Sequence, residues 1–221
     1  MAESKGEQAM THTLHREGTD DSLSRDFVVL QMPGQVRTMK GSAENNRTFI
    51  QLAIKNNAVN FNHETIGARF TIADAVNRLK TELADGGGVH AVFDNPEDLT
   101  NFLIDLKKAD MGYSVVVSGL MKSVQECCHN ADLHRHTVNL SLGIYGKTEK
   151  LMPDDVREVT TMCGHGMVTG AMVMQTVRSI AKGTVTAKAA SEKLASLCPC
   201  GIFNPHRSEE LLAAMAKCYH E

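Results

Sequence analysis

Three cysteines and one histidine sit in two glycine-bearing stretches, Met162-Cys163-Gly164-His165-Gly166-Met167 and Leu197-Cys198-Pro199-Cys200-Gly201-Ile202-Phe203-Asn204-Pro205. A thiolate left in a turn oxidises or binds metal unless something occupies it. Pro199 fixes φ between Cys198 and Cys200 and holds that pair stiffly. Glycines at the same turns remove Cβ atoms where backbone must approach something bulky. Helical patterns follow both stretches, so helix N-termini face the sulfurs, each worth about 0.3–1 kcal/mol to a nearby anion in exposed settings.

Four chemistries fit this donor set, and the sequence favours the first. A [4Fe–4S] cluster on Cys163, Cys198 and Cys200 leaves one iron open as a Lewis acid for a small-molecule substrate, in a lyase or sulfur-transfer reaction. His165, two residues from a ligand and the residue type best suited to proton transfer at physiological pH, is then the acid–base group. The second is zinc on Cys163, His165, Cys198 and Cys200, a tetrahedral site that staples a non-enzymatic accessory or redox-sensing protein. Its Cys163–His165 spacing is tighter than in the usual zinc fingers. The third is a metal-free reactive thiol, Cys163 activated by His165 and the helix terminus. The fourth packs the thiols as small hydrophobes.

Other candidates are weaker. Ser118-Gly119 ends an apolar run and opens a helix, where open α/β sheets bind ligands. Asn139 lies on the polar face of a later alternating segment. Ser118, Gly119 and Asn139 are therefore the expected substrate contacts. Cys127-Cys128-His129 falls within a helical stretch, where neighbours point about 100° apart and share a metal poorly. Cys218 lies near the C-terminus, and His134 and His136 precede the alternating segment. Gly86-Gly87-Gly88 precedes a strand, which is the wrong context for a phosphate loop.

The elements that must position these residues follow from periodicity and punctuation. Phe27 to Met32 is an apolar strand stopped by Pro33-Gly34. A helix is expected from Ser42 to Lys55 and a short strand over 58–61. A second helix rests on Ile72, Ala75, Val76, Leu79 and Leu83. Val89 to Phe93 is a strand, and Asn95-Pro96-Glu97-Asp98 opens a helix with proline early and acids in its first turn. Residues 113–119 form another strand, a helix runs from Leu120 to about 129, and 137–145 alternates as a half-buried strand. From 147 the chain becomes helical, with helices over about 153–162, 172–180, 186–195 and 205–217.

This order predicts an α/β fold: a layered sheet with crossover helices, then a helical C-terminal part, with ferredoxin-like strand pairing as the alternative. The expected organisation is a flexible arm over 1–26, an α/β region over 27–146 and a helical region over 147–221 carrying the cysteine turns. No internal repeat is read from the sequence. A net charge of −3, scattered Lys and Arg, 5% aromatics and no tryptophan argue against nucleic acid. No apolar run reaches the roughly 18 residues of a membrane span. Six cysteines behind a polar N-terminus without an apolar core predict a reducing, cytoplasmic setting.

Overall fold

The computed structural model describes residues 15–32, 40–63, 78 and 82–219. After a one-turn helix α1 (Asp20–Leu23) come β1 (Phe27–Met32), α2 (Ser42–Lys55), β2 (Asn60–His63), β3 (Val89–Phe93), α3 (Pro96–Ala109), β4 (Ser114–Ser118) and α4 (Met121–Asn130). The C-terminal part holds α5 (Asp154–Thr160), α6 (Gly170–Ala181), α7 (Ala187–Ala195) and α8 (Pro205–Lys217). Several starts are dictated locally: the side chains of Asn95, Thr186 and Asn204 each accept a backbone N–H of the first turn. Pro96 and Pro205 occupy the first helical position, where a missing N–H costs nothing.

The four strands form one sheet in the order β2-β3-β1-β4, antiparallel throughout. The chain is thus mixed α/β with a helical C-terminal part. Its β-α-β-β-α-β order with antiparallel neighbours is that of the alternative pairing, and α2 and α3 are the crossover helices. Both crossings pass over an intervening strand position, so neighbours run in opposite directions. The helix expected around Ile72 to Leu79, and the Pro33-Gly34 stop, lie outside the described residues.

Alternation sends β1 residues to two cores. Phe27 and Val29 join Ala91, Phe93, Phe49, Phe102 and Leu99 under α2 and α3. Phe102 anchors that layer edge-on to Phe49 at 5.1 Å and tilted on Phe93 at 4.9 Å. Val28, Leu30 and Val92 face the other way, into a core shared with Val159, Met162, Val177, Leu194, Phe203 and Leu212. Burying each of these large side chains contributes about 1.5–3 kcal/mol. The second face of the sheet is therefore the floor on which the cysteine-bearing helices stand.

Two expectations are corrected. Residues 137–145 form no strand; they run exposed and outside the sheet, although their alternation is real. Periodicity reports the capacity to pair, and no strand lies beside this segment among the described residues. Residues 15–26, expected as part of a flexible arm, are packed instead. Asp26, 1% exposed, takes Arg207 Nη1 at 2.8 Å and Arg16 Nε at 3.2 Å. Glu17 pairs with Arg157 at 2.6 Å, and Ser22 bonds Glu158 and Arg207. A polar composition looked unfolded because Arg157, Glu158 and Arg207, which hold it, lie 130 or more residues away in the chain.

Removing one side of a buried charge pair leaves the other uncompensated, at about 3–5 kcal/mol. Arg207→Met should therefore lower the urea unfolding free energy by about that amount. Lys55→Ala, which breaks the exposed pair with Asp105, should cost under about 1 kcal/mol. Equal costs would show that the N-terminal segment is not held by Asp26.

Candidate metal centre

The cysteine stretches are two copies of one device. In each, a helix ends, the chain makes a tight turn, and a capped helix follows. Cys163 N–H donates to Thr160 O and Cys198 N–H to Ala195 O, closing the preceding helices. Gly166 N–H then returns to Cys163 O at 3.0 Å, and Gly201 N–H to Cys198 O at 3.1 Å. Gly166 and Gly201 have φ of 68° and 66°, the left-handed conformation that glycine adopts freely. Thr169 caps α6 and Asn204 caps α8.

Every one of these equivalent positions lies 35 residues apart, the separation of His165 from Cys200. The core follows the same offset: Val159 matches Leu194, Val168 matches Phe203, and Val177 matches Leu212, all buried. Residues 154–217 are thus two helix–turn–helix units of the same build, a repeat the sequence reading missed. Its signal is Cys-x-His-Gly against Cys-x-Cys-Gly; few other identities survive, because a core keeps burial and volume rather than residue type.

The two turns face each other, donor to donor. Cys198 Sγ lies 3.6 Å from Cys200 Sγ, and Cys200 Sγ lies 3.5 Å from His165 Nδ1. Cys163 is hydrogen-bonded to Cys198, which together with burial pushes its thiol well above the ordinary range. The bond from Cys163 favours the Cys198 thiolate, but donation to Cys200 and burial outweigh it and lift that thiol to about 11. Cys200 receives the Cys198 hydrogen bond and is lowered. Negative charge is therefore drawn to Cys200, the sulfur beside His165. The contact His165 makes at 3.5 Å is with Cys200, where Cys163 was the thiol expected to be activated.

Backbone amides aim at the sulfurs as well. N–H groups of Met167 and Val168 point to Cys163, and that of Ile202 to both Cys198 and Cys200. Such donors stabilise thiolates held against metal. All three cysteines are buried, at 4%, 0% and 3% exposure. Among the described residues no group of three or more His, Cys, Asp or Glu is placed, as it stands, to hold a metal ion. The four donors form a chain of neighbours instead, Cys163–Cys198–Cys200–His165.

Strand β2 fixes the second turn in place. Asn62 donates to Pro199 O, and Asn60 donates to Phe203 O at 2.8 Å. His90 on β3, fully buried, is the direct register partner of Asn62 and shares this face. A histidine inside the apolar run Val89-His90-Ala91-Val92 was the available signal for it.

The remaining candidates lie elsewhere. Ser118, on β4, pairs with Val28 of β1 and lies three strand spacings or roughly 14 Å from Asn60 across the sheet. A Cβ at Gly119 would meet Phe27 at 2.7 Å, so its small size serves packing. Asn139 is on the exposed segment outside the sheet. None of the described contacts of the three sulfurs involves Ser118, Gly119 or Asn139. Cys127 is core and donates to Pro96 O at 3.4 Å. Cys128, His129 and His134 join Gln125, Leu133 and Arg135 around a cavity of about 260 Å³. Cys218 is exposed. Among the described residues no helix is long and apolar enough to cross a membrane.

No protein-family model, curated protein or solved structure matches this chain.

The two turn glycines differ in one respect. A Cβ at Gly166 would meet nothing within 4 Å, whereas one at Gly201 would lie 2.6 Å from Asn62 Cβ and 2.9 Å from Phe61 backbone. Gly166→Ala should cost the left-handed penalty alone, about 1–2 kcal/mol. Gly201→Ala adds a clash of about 1–3 kcal/mol and should destabilise measurably more in urea titrations. Equal losses would mean that the second turn is not locked against β2.

Proposed function

We propose that the chain holds one metal ion, zinc by its donor set, on Cys163, Cys198, Cys200 and His165, and that the centre clamps the two helix–turn–helix units together. The observation that carries this reading is the spacing of facing donors. Zinc–sulfur bonds of about 2.3 Å and zinc–nitrogen bonds of about 2.0–2.1 Å set tetrahedral S···S edges near 3.7–3.8 Å and S···N edges near 3.5–3.6 Å. The Cys198–Cys200 and Cys200–His165 separations, 3.6 and 3.5 Å, are two such edges. Metal binding requires the Cys163 thiol to turn in from Cys198 and complete the set. Donors buried to this degree, supplied in pairs by two like turns, suit a structural clamp in an accessory or redox-sensing protein.

A [4Fe–4S] cluster on the three cysteines, with an open iron doing lyase or sulfur-transfer chemistry on a small molecule, is the second reading. Three thiolates beside one non-thiolate donor favour it. Ligands of different irons in a cubane need sulfurs roughly 6–7 Å apart, so Cys198 and Cys200 would have to separate.

The full chain purified without oxygen should be colourless and carry one zinc and no acid-labile sulfide. Cys198→Ala should lose the metal, and a chelator should lower the melting temperature of the wild type but not of that variant. Brown protein with iron and sulfide would replace the clamp by the cluster. Protein with neither metal would overturn both readings and leave Cys200 as the candidate reactive thiol.

A further inference from the structure

The two edges of the sheet are treated differently. At β2 the edge is closed by the second cysteine turn, through Asn60 and Asn62. At β4 no strand pairs with the outer side among the described residues. Strand β4 reads Ser-Val-Val-Val-Ser, with no charge, proline or bulge, the usual devices that blunt a bare edge. Its Val116 lies on the face that carries the C-terminal helices but is 52% exposed, so their cover stops short of it.

The same chain carries an unpaired strand. Residues 134–155 are exposed without interruption. Within them Val138, Leu140, Leu142 and Ile144 alternate at 42–78% exposure, and Tyr145 is 80% exposed. Residues 137–145 bear no charge. A described side-chain hydrogen bond from this segment to the body runs from Ser141 to His15. Isolated surface leucines are ordinary, but a run of alternate exposed aliphatics marks a contact surface.

We propose that this segment is an exchanged strand: in a symmetric dimer each copy lays residues 137–145 along the β4 edge of the other, with Val138, Leu140, Leu142 and Ile144 covering Val116. A second copy is the occupant because each chain supplies one uncharged strand and one uncharged edge, and a two-fold axis satisfies both at once. The size sets the strength. Strand β4 offers five residues, about 17 Å of edge at about 3.3 Å each, and pairing requires Gly143, now at φ 89°, to extend. With a footprint about 10 Å wide each arm buries roughly 170 Å² on either side, so the reciprocal contact totals roughly 700 Å², the scale of a weak, reversible dimer. The proposal is independent of what the cysteines bind.

Sedimentation of the full chain under reducing conditions should give about twice the 24.1 kDa of one chain. Leu140→Glu/Leu142→Glu should raise the dimer dissociation constant at least 100-fold while leaving the circular dichroism spectrum and thermal melt of the monomer intact. Mixing one copy carrying Val116→Cys with another carrying Leu142→Cys should yield a disulfide between positions 116 and 142, mapped by mass spectrometry. A wild type that is monomeric at concentrations up to about 100 µM overturns the proposal. So does a glutamate variant that still dimerises, a mixture without the 116–142 link, or a monomer that binds an unrelated protein through this segment.

Discussion

The arrangement rests on the grip of β2 on the second cysteine turn. Two asparagine amides reach from the strand to the carbonyls of Pro199 and Phe203, and Gly201 lies so close to Phe61 and Asn62 that no Cβ fits. Together with the Asp26–Arg207 ion pair and the Asn204 amide on Arg25 O, this contact joins the helical part to the sheet by polar bonds, beside the apolar packing of Val28, Leu30 and Val92. It also sets where Cys198 and Cys200 stand, and so where the facing turn must bring Cys163 and His165. Moving the grip would disturb core and donor set together.

The facing turn arrives correctly because the chain builds the same unit twice. Each unit ends a helix, turns on a left-handed glycine and caps the next helix, at one offset of 35 residues. Duplication of this kind supplies matched donor pairs without matching sequence: position one of each turn is cysteine, position three is histidine in one and cysteine in the other. The buried pairs Val159 with Leu194 and Val177 with Leu212 show what the repeat preserves, a volume at a depth.

Local signals were legible in the sequence where physics is local. Asn95-Pro96, Thr186 and Asn204-Pro205 name their own helix starts, since a cap and a pre-set φ act within one turn. The cysteine turns were legible as well, because glycine, proline and thiols at such spacing have few other uses. Strand order was not, as it depends on which of several apolar strands meet. Alternation in 137–145 could not say whether a partner strand exists. The 15–26 segment looked unstructured because Asp26 and Glu17 are stabilised by Arg207 and Arg157, far along the chain. The contact of His165 with Cys200 crosses from one turn to the other, so spacing within a turn could not show it.

The central claim is that three sulfurs and one imidazole nitrogen surround a single ion. X-ray absorption at the zinc edge, on full-length protein as purified, tests it most directly. The account predicts one first shell of three sulfurs at about 2.3 Å and one nitrogen at about 2.0–2.1 Å, with one sulfur lost in Cys200→Ser. A shell of nitrogen and oxygen alone, or a sulfur count unchanged by that substitution, would contradict it.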